Sequence, residues 1–177
     1  MWRFVLTGAI LLFIGIVINY HIPFFGEKRV EYYFQHANGT VSMVYPVSRV
    51  KDPQRAPDGM LYRAMVEDPL YVDVRTLVPY KRATIQLIYQ DTTETPLKIG
   101  MKKNRDAGIQ LKKFDHEKQV GVWTVGNVSF DLADASYYNN KYTFVFSVPG
   151  LVTEKNSKGD VRLAKLLLTL MREPQGK

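Results

Sequence analysis

Hydrophobic and polar positions follow two regimes along this 177-residue chain. Residues 4–25 contain no Asp, Glu, Lys or Arg, and residues 4–18 are apolar apart from Thr7, Gly8 and Gly15. Coiled as a helix, those 22 residues span roughly 33 Å, about the hydrocarbon thickness of a bilayer. Trp2 on one side and Tyr20, Phe24 and Phe25 on the other suit the interfaces, and Pro23 ends the helix by His21 or Ile22. No small-residue cleavage pattern follows Ile18, so residues 1–25 read as an uncleaved transmembrane signal anchor. Arg3 and the free N-terminus, set against Lys28 and Arg29 beyond the span, favour an inside N-terminus. The expectation is a single-pass plasma-membrane protein whose domain, residues 26–177, is extracytoplasmic.

Beyond Gly26 the period changes to two. Val30, Tyr32 and Phe34 alternate, His36-Ala37-Asn38-Gly39 makes a turn, and Val41, Met43 and Tyr45 alternate again, which predicts a hairpin turning at Asn38-Gly39. Residues 47–59 are rich in Lys, Asp, Pro, Gln and Arg and read as the main exposed loop. Strands are predicted over 61–67, 70–75, 83–90, 97–101 and 109–114. Two more, 120–125 and 128–132, flank Gly126-Asn127 as a turn, and 142–148 stops at Pro149-Gly150. In 161–171, Leu163, Leu166, Leu167 and Leu170 fit a helix, whereas Ala164, Leu166, Leu168 and Leu170 fit one strand face. Strand is chosen, because a closing strand pairs with the first ones and no helical layer is available to pack a helix. The expected fold is all-β: a jelly-roll-like antiparallel β-sandwich of about ten strands, preceded by one N-terminal transmembrane α-helix.

With 46% hydrophobic and 12% aromatic residues the chain supports one real core, and its 12 Gly and 9 Pro fit neither collagen nor low-complexity sequence. The absence of cysteine excludes disulfide scaffolds, thiolate metal sites, iron–sulfur clusters and thiol catalysis. All but one of the 24 Lys and Arg lie beyond the apolar segment, against 17 Asp and Glu, so the domain is basic.

Three stretches carry a resemblance: Glu67-Asp68-Pro69-Leu70-Tyr71-Val72-Asp73-Val74, then Ala83-Thr84-Ile85-Gln86-Leu87-Ile88-Tyr89, and Lys141-Tyr142-Thr143-Phe144-Val145-Phe146-Ser147-Val148-Pro149-Gly150-Leu151. Over residues 60–171 the chain resembles a galactose-binding-like jelly roll of the carbohydrate-binding-module type. Behind an N-terminal anchor it also resembles surface proteins of candidate-phylum bacteria. The resemblance implies a domain that binds glycans through loops or one sheet face, holds a structural calcium ion, or serves only as an assembly module.

Catalytic constellations are not found. His21, His36 and His116 are scattered, and no H-E-x-x-H, G-x-S-x-G or phosphate-loop motif occurs. Asp115-His116-Glu117 reads as a solvated loop, and Asp131 with Asp134 is too sparse a set for calcium. No enzyme activity, cofactor or metal is expected.

Lys98, Lys102, Lys103, Arg105, Lys112, Lys113 and Lys118 form a concentrated basic patch for an anionic partner: headgroups, wall polymer or an acidic protein. Nucleic acid is not expected for an exported domain. Sugar faces stack on exposed rings, which makes Tyr137, Tyr138 and Trp123 the ligand-binding candidates, with Tyr71 and Tyr89 next to inspect. The function expected is a membrane-anchored, non-catalytic binding protein of the cell surface, its ligand a glycan or anionic envelope polymer. The alternative is an accessory subunit of a membrane transporter or secretion complex, with Gly8 and Gly15 on the helix face that meets partner helices.

Overall fold

The computed structural model describes residues 26–104, 108–151 and 160–172. The segment on which the transmembrane anchor is read lies outside the described residues, and among those described no helix is long and apolar enough to cross a membrane.

Two antiparallel sheets pack face to face. In chain order the strands are β1 (Glu27–Tyr33), β2 (Gln54–Arg55), β3 (Leu61–Met65), β4 (Leu70–Arg75), β5 (Arg82–Asp91) and β6 (Lys98–Lys102). They continue with β7 (Ile109–Lys112), β8 (His116–Val120), β9 (Trp123–Asp131), β10 (Lys141–Ser147) and β11 (Val161–Met171). One sheet runs β2-β3-β11-β5-β9-β8, with β1 also on β11; the other runs β4-β10-β6-β7. The leucine-rich segment is therefore a central strand. β5 lines one side of β11, while β3 and β1 share the other end to end, β1 pairing from Glu27↔Met171 to Tyr33↔Lys165.

Alternation decides which residues enter the core. Leu70, Val72 and Val74 of β4 and Tyr142, Phe144 and Phe146 of β10 face Ile85, Leu87, Leu166, Leu168 and Leu170 of the opposite sheet in one buried cluster. The complementary positions, Tyr71, Asp73 and Arg75 on β4 and Lys141 and Thr143 on β10, therefore stand on the outer face of the four-stranded sheet.

Three local expectations are corrected. The hairpin at residues 36–39 does not form: the chain crosses to the other sheet, where Val41 and Tyr45 bridge to Val74 and Tyr71. The Asn38 side chain redirects it, donating to the Glu31 carbonyl at 3.0 Å and accepting from the Thr40 and Val41 amides. Gly126-Asn127 is not a turn but the middle of β9, and the turn falls at Gly121, whose φ is +63°. A Cβ at Gly126 would lie 2.5 Å from the Phe114 ring, so this glycine admits an aromatic cover rather than a bend. Ala164 does not share the face of Leu166, Leu168 and Leu170, because the β11 register slips between Leu163 and Lys165 and Ala164 joins a separate cluster on the outside.

Candidate functional site

The outer face of the four-stranded sheet carries a groove of about 660 Å³ lined by tyrosines, lysines, Ser136 and Thr143. That size is in the range of small-ligand pockets. Its floor follows from strand register. Tyr45 bridges Tyr71 across the edge of the sheet, and the two rings stack 5.5 Å apart at 24°. Such a pair contributes about 0.5–1.5 kcal/mol beyond its buried area.

Beneath the rings lies Asp73, only 9% exposed. Its Oδ1 accepts hydrogen bonds from the Tyr45 hydroxyl at 3.0 Å and the Thr143 hydroxyl at 2.7 Å, and its Oδ2 pairs with the Lys141 ammonium at 2.6 Å. The Asp73 amide itself donates to Ser42 Oγ at 2.9 Å. Burial pushes the Asp73 carboxyl upward, but the hydrogen bonds from Lys141, Thr143 and Tyr45 outweigh it and hold the group below the usual carboxylate range. Burial, reinforced by that carboxylate, pushes the Tyr45 phenol up to about 12. Asp73 is thus a structural pin that holds the Tyr45 ring, with its oxygens occupied.

The walls come from a turn and an edge strand. Asn139 and Asn140 both have positive φ, 51° and 59°, as a tight hairpin turn into β10 requires. Tyr138 and Lys141 flank that turn and exchange backbone hydrogen bonds, which sets Tyr138 on the groove rim with 70% of its surface exposed. On the opposite side β7 folds Ile109 and Leu111 across Gly100, where a Cβ would lie 2.7 Å from the Gln110 carbonyl oxygen and from Leu111 Cδ2. Only a glycine lets that apolar wall close over β6.

The residues singled out from the sequence separate widely. Tyr138 opens onto the groove. Tyr137 turns its ring against Tyr142 and donates its hydroxyl to the Thr76 carbonyl at 2.8 Å. Trp123 lies on the other sheet at 4% exposure, among Ala56, Tyr62, Ala64 and Ala164, with its indole N–H donating to Asp58 at 2.6 Å. Tyr89 is buried against Phe114, its hydroxyl donating to Glu117.

The basic patch also divides. Lys102 and Lys103 line the groove, and Lys98 lies at the other end of β6 from Lys102. Lys112 instead donates to the Ser129 carbonyl at 2.9 Å and sits over the Phe130 ring. Lys113 follows β7 in an exposed position, Lys118 lies on β8 at the edge of the other sheet, and Arg105 falls outside the described residues. Asp115 and Glu117 are engaged structurally, accepting from the Ser129 amide and the Tyr89 hydroxyl. Among the described residues no three His, Asp or Glu gather as a metal site.

No family model matches the chain, and no curated protein matches it in sequence. Similar solved structures are carbohydrate-binding modules. The CBM22-1 xylan-binding domain of Paenibacillus barcinonensis Xyn10C is 11% identical with a TM-score of 0.49, over 82% of this chain and 95% of that one. The C-terminal CBM6 of LamC, a marine laminarinase of Zobellia galactanivorans, is 8% identical with a TM-score of 0.45, over 80% and 99%. CBM6cm-2 of Cellvibrio mixtus lichenase 5A, in complex with cellotriose, is 10% identical with a TM-score of 0.44, over 78% and 95%. No residue correspondence follows at these values, and the chemistry of the groove stands on its own side chains.

Tyr45, Asp73, Lys141 and Thr143 were not singled out from the sequence. A signal was present: once Leu70, Val72 and Val74 face the core, Tyr71 and Asp73 must face out, and the same holds for Lys141 and Thr143 about Tyr142. Their convergence depends on β4 pairing with β10, which brings Asp73 opposite Thr143.

Proposed function

We propose that this chain is a non-catalytic carbohydrate-binding protein, held at the outer face of a membrane by its N-terminal apolar segment. The groove of the four-stranded sheet receives the sugar. The observation that carries the reading is the stacked Tyr45–Tyr71 pair pinned by the Asp73 cage on an open sheet face. Sugar C–H faces stack on such rings, while Ser136, Thr143, Lys102, Lys103 and Lys141 offer polar partners to hydroxyls. The non-catalytic part of the reading is supported by Asp73 itself, whose two oxygens already accept three hydrogen bonds and offer no poised base.

The test is a glycan array probed with the full-length chain in mild detergent, beside Tyr71→Ala. Retention of defined glycans by the chain and its loss in the variant are expected; a chain that retains no glycan overturns the reading. Membrane fractionation and protease accessibility in cells test the anchoring: release by carbonate, or protection of the domain on the cytoplasmic side, overturns it.

A second reading, an accessory subunit of a membrane complex, draws on Val120 and Val122, exposed apolar residues on either side of Gly121 at the tip of the β8–β9 hairpin. Mild-detergent extraction followed by mass spectrometry of co-eluting chains decides it. Stoichiometric partners support this role, and a lone chain removes it.

A further inference from the structure

We infer that the groove selects glycans of anionic sugars, whose rings carry a carboxylate or an ester-linked sulfate or phosphate; this rests on the reading of the groove as a glycan site. Among the described residues that line it are three lysines, Lys102, Lys103 and Lys141, and no carboxylate. The acid that touches the lining, Asp73, has its charge already matched by Lys141. The net field facing a ligand is therefore positive.

Lys102 and Lys103 carry the selectivity. Neither ammonium has an ion pair or hydrogen bond among the described residues, whereas Arg49, Lys165 and Arg162 pair with Glu67, Glu31 and Asp160. Their backbone, by contrast, is held from both sides. The Ser136 amide donates to the Lys102 carbonyl at 2.8 Å, the Lys103 amide donates to the Gly108 carbonyl at 3.0 Å, and Lys103 bridges Ala135. Lys102 and Lys103 thus line the groove with their backbone anchored and, among the described residues, with no partner for either charge.

A neutral sugar seated on the rings strips water from these ammonium groups and returns no charge to them. An anionic substituent on the same ring supplies it. Lysine is a point charge with rotatable donors rather than a planar fork, so carboxylate, sulfate and phosphate substituents are all accepted, and the selection is for charge.

The experiment measures affinities of the full-length chain for matched oligosaccharides: uronic-acid oligomers, their carboxyl-reduced neutral counterparts, and sulfated and unsulfated forms of one backbone. Acidic members are expected to bind about tenfold tighter, from two partly exposed ion pairs. That preference shrinks as salt rises, a reading of charge that needs no substitution. Lys102→Met with Lys103→Met is expected to bring acidic and neutral members to equal affinity, while Tyr71→Ala loses binding of both. Equal affinity for the matched pairs, or a preference untouched by salt and by the double variant, overturns the inference and leaves the glycan reading standing. A chain that binds neither acidic nor neutral sugars overturns both.

Discussion

The outer faces of the two sheets begin from similar sequence and end differently. Each presents large aromatics at outward positions: Tyr45 and Tyr71 on the four-stranded sheet, Tyr62 and Trp123 on the seven-stranded one. On the second, residues 56–60 turn tightly at Gly59 and close over the rings, and the pocket around Trp123 is sealed by its bond to Asp58. Farther along that face the polar side chains satisfy one another, Gln86 donating to Asn127 at 3.1 Å and Thr84 sharing a bond with Ser129 at 3.3 Å. On the first, no loop among the described residues covers the rings, and lysines and hydroxyls stand around them. An aromatic on an outer strand face becomes core or platform according to what the neighbouring loop does.

The largest expected effect tests that contrast directly. Trp123→Ala empties a closed cluster and is expected to destabilise the protein by about 3–5 kcal/mol while leaving the groove intact, as chemical denaturation and glycan binding will show. Tyr71→Ala is its converse, losing about 1 kcal/mol of stability but essentially all glycan retention. If Trp123→Ala abolished binding at full folding, the division between the faces would fail.

Next in size is Gly100→Val. The added methyl groups meet a backbone carbonyl and the Leu111 side chain, so about 1–3 kcal/mol is expected to be lost, together with a reshaped groove wall. Denaturant midpoints check the first and oligosaccharide affinity the second.

A smaller effect is pH-dependent. The Asp73 carboxyl is held below its unfolded value, so its contribution to stability is complete above about pH 4 and is lost as pH falls through the folded value. Asp73→Asn is expected to flatten this acid limb of the stability profile. The Tyr45 phenol is raised to about 12, so its contribution is complete below about pH 10 and is lost as pH rises toward 12. Ultraviolet titration of Tyr45→Phe is expected to remove one late-titrating phenol while that of Tyr32, also raised to about 12 by burial, remains.

The smallest effect sharpens the sealed face. Asp58→Ala removes the acceptor of the Trp123 indole and is expected to destabilise less than Trp123→Ala, with sugar binding unchanged. Thermal unfolding of the two variants side by side provides the check.

Much of the fold was legible in the chain itself, because burial on one face imposes a period of two that local sequence displays. β4 matches its expected bounds of residues 70–75, and β5, β6, β10 and β11 lie close to theirs. The same alternation places Tyr71, Asp73, Lys141 and Thr143 on the outside. Local signals misled where a residue type has two uses. Asn38-Gly39 turns the chain toward the other sheet rather than back along β1, and Gly126 makes room for Phe114 instead of bending the strand.

The sequence by itself determined the class of the domain, the faces of its strands, the lack of thiol chemistry and its basic charge, since each is a property of composition or of neighbours a few residues apart. Tertiary structure alone decided which aromatics meet and which are covered. Tyr45 and Tyr71 stand 26 residues apart, and Asp73 reaches Lys141 across 68. Such partners are chosen by strand order and register, which follow from how the two sheets share one core rather than from any local pattern.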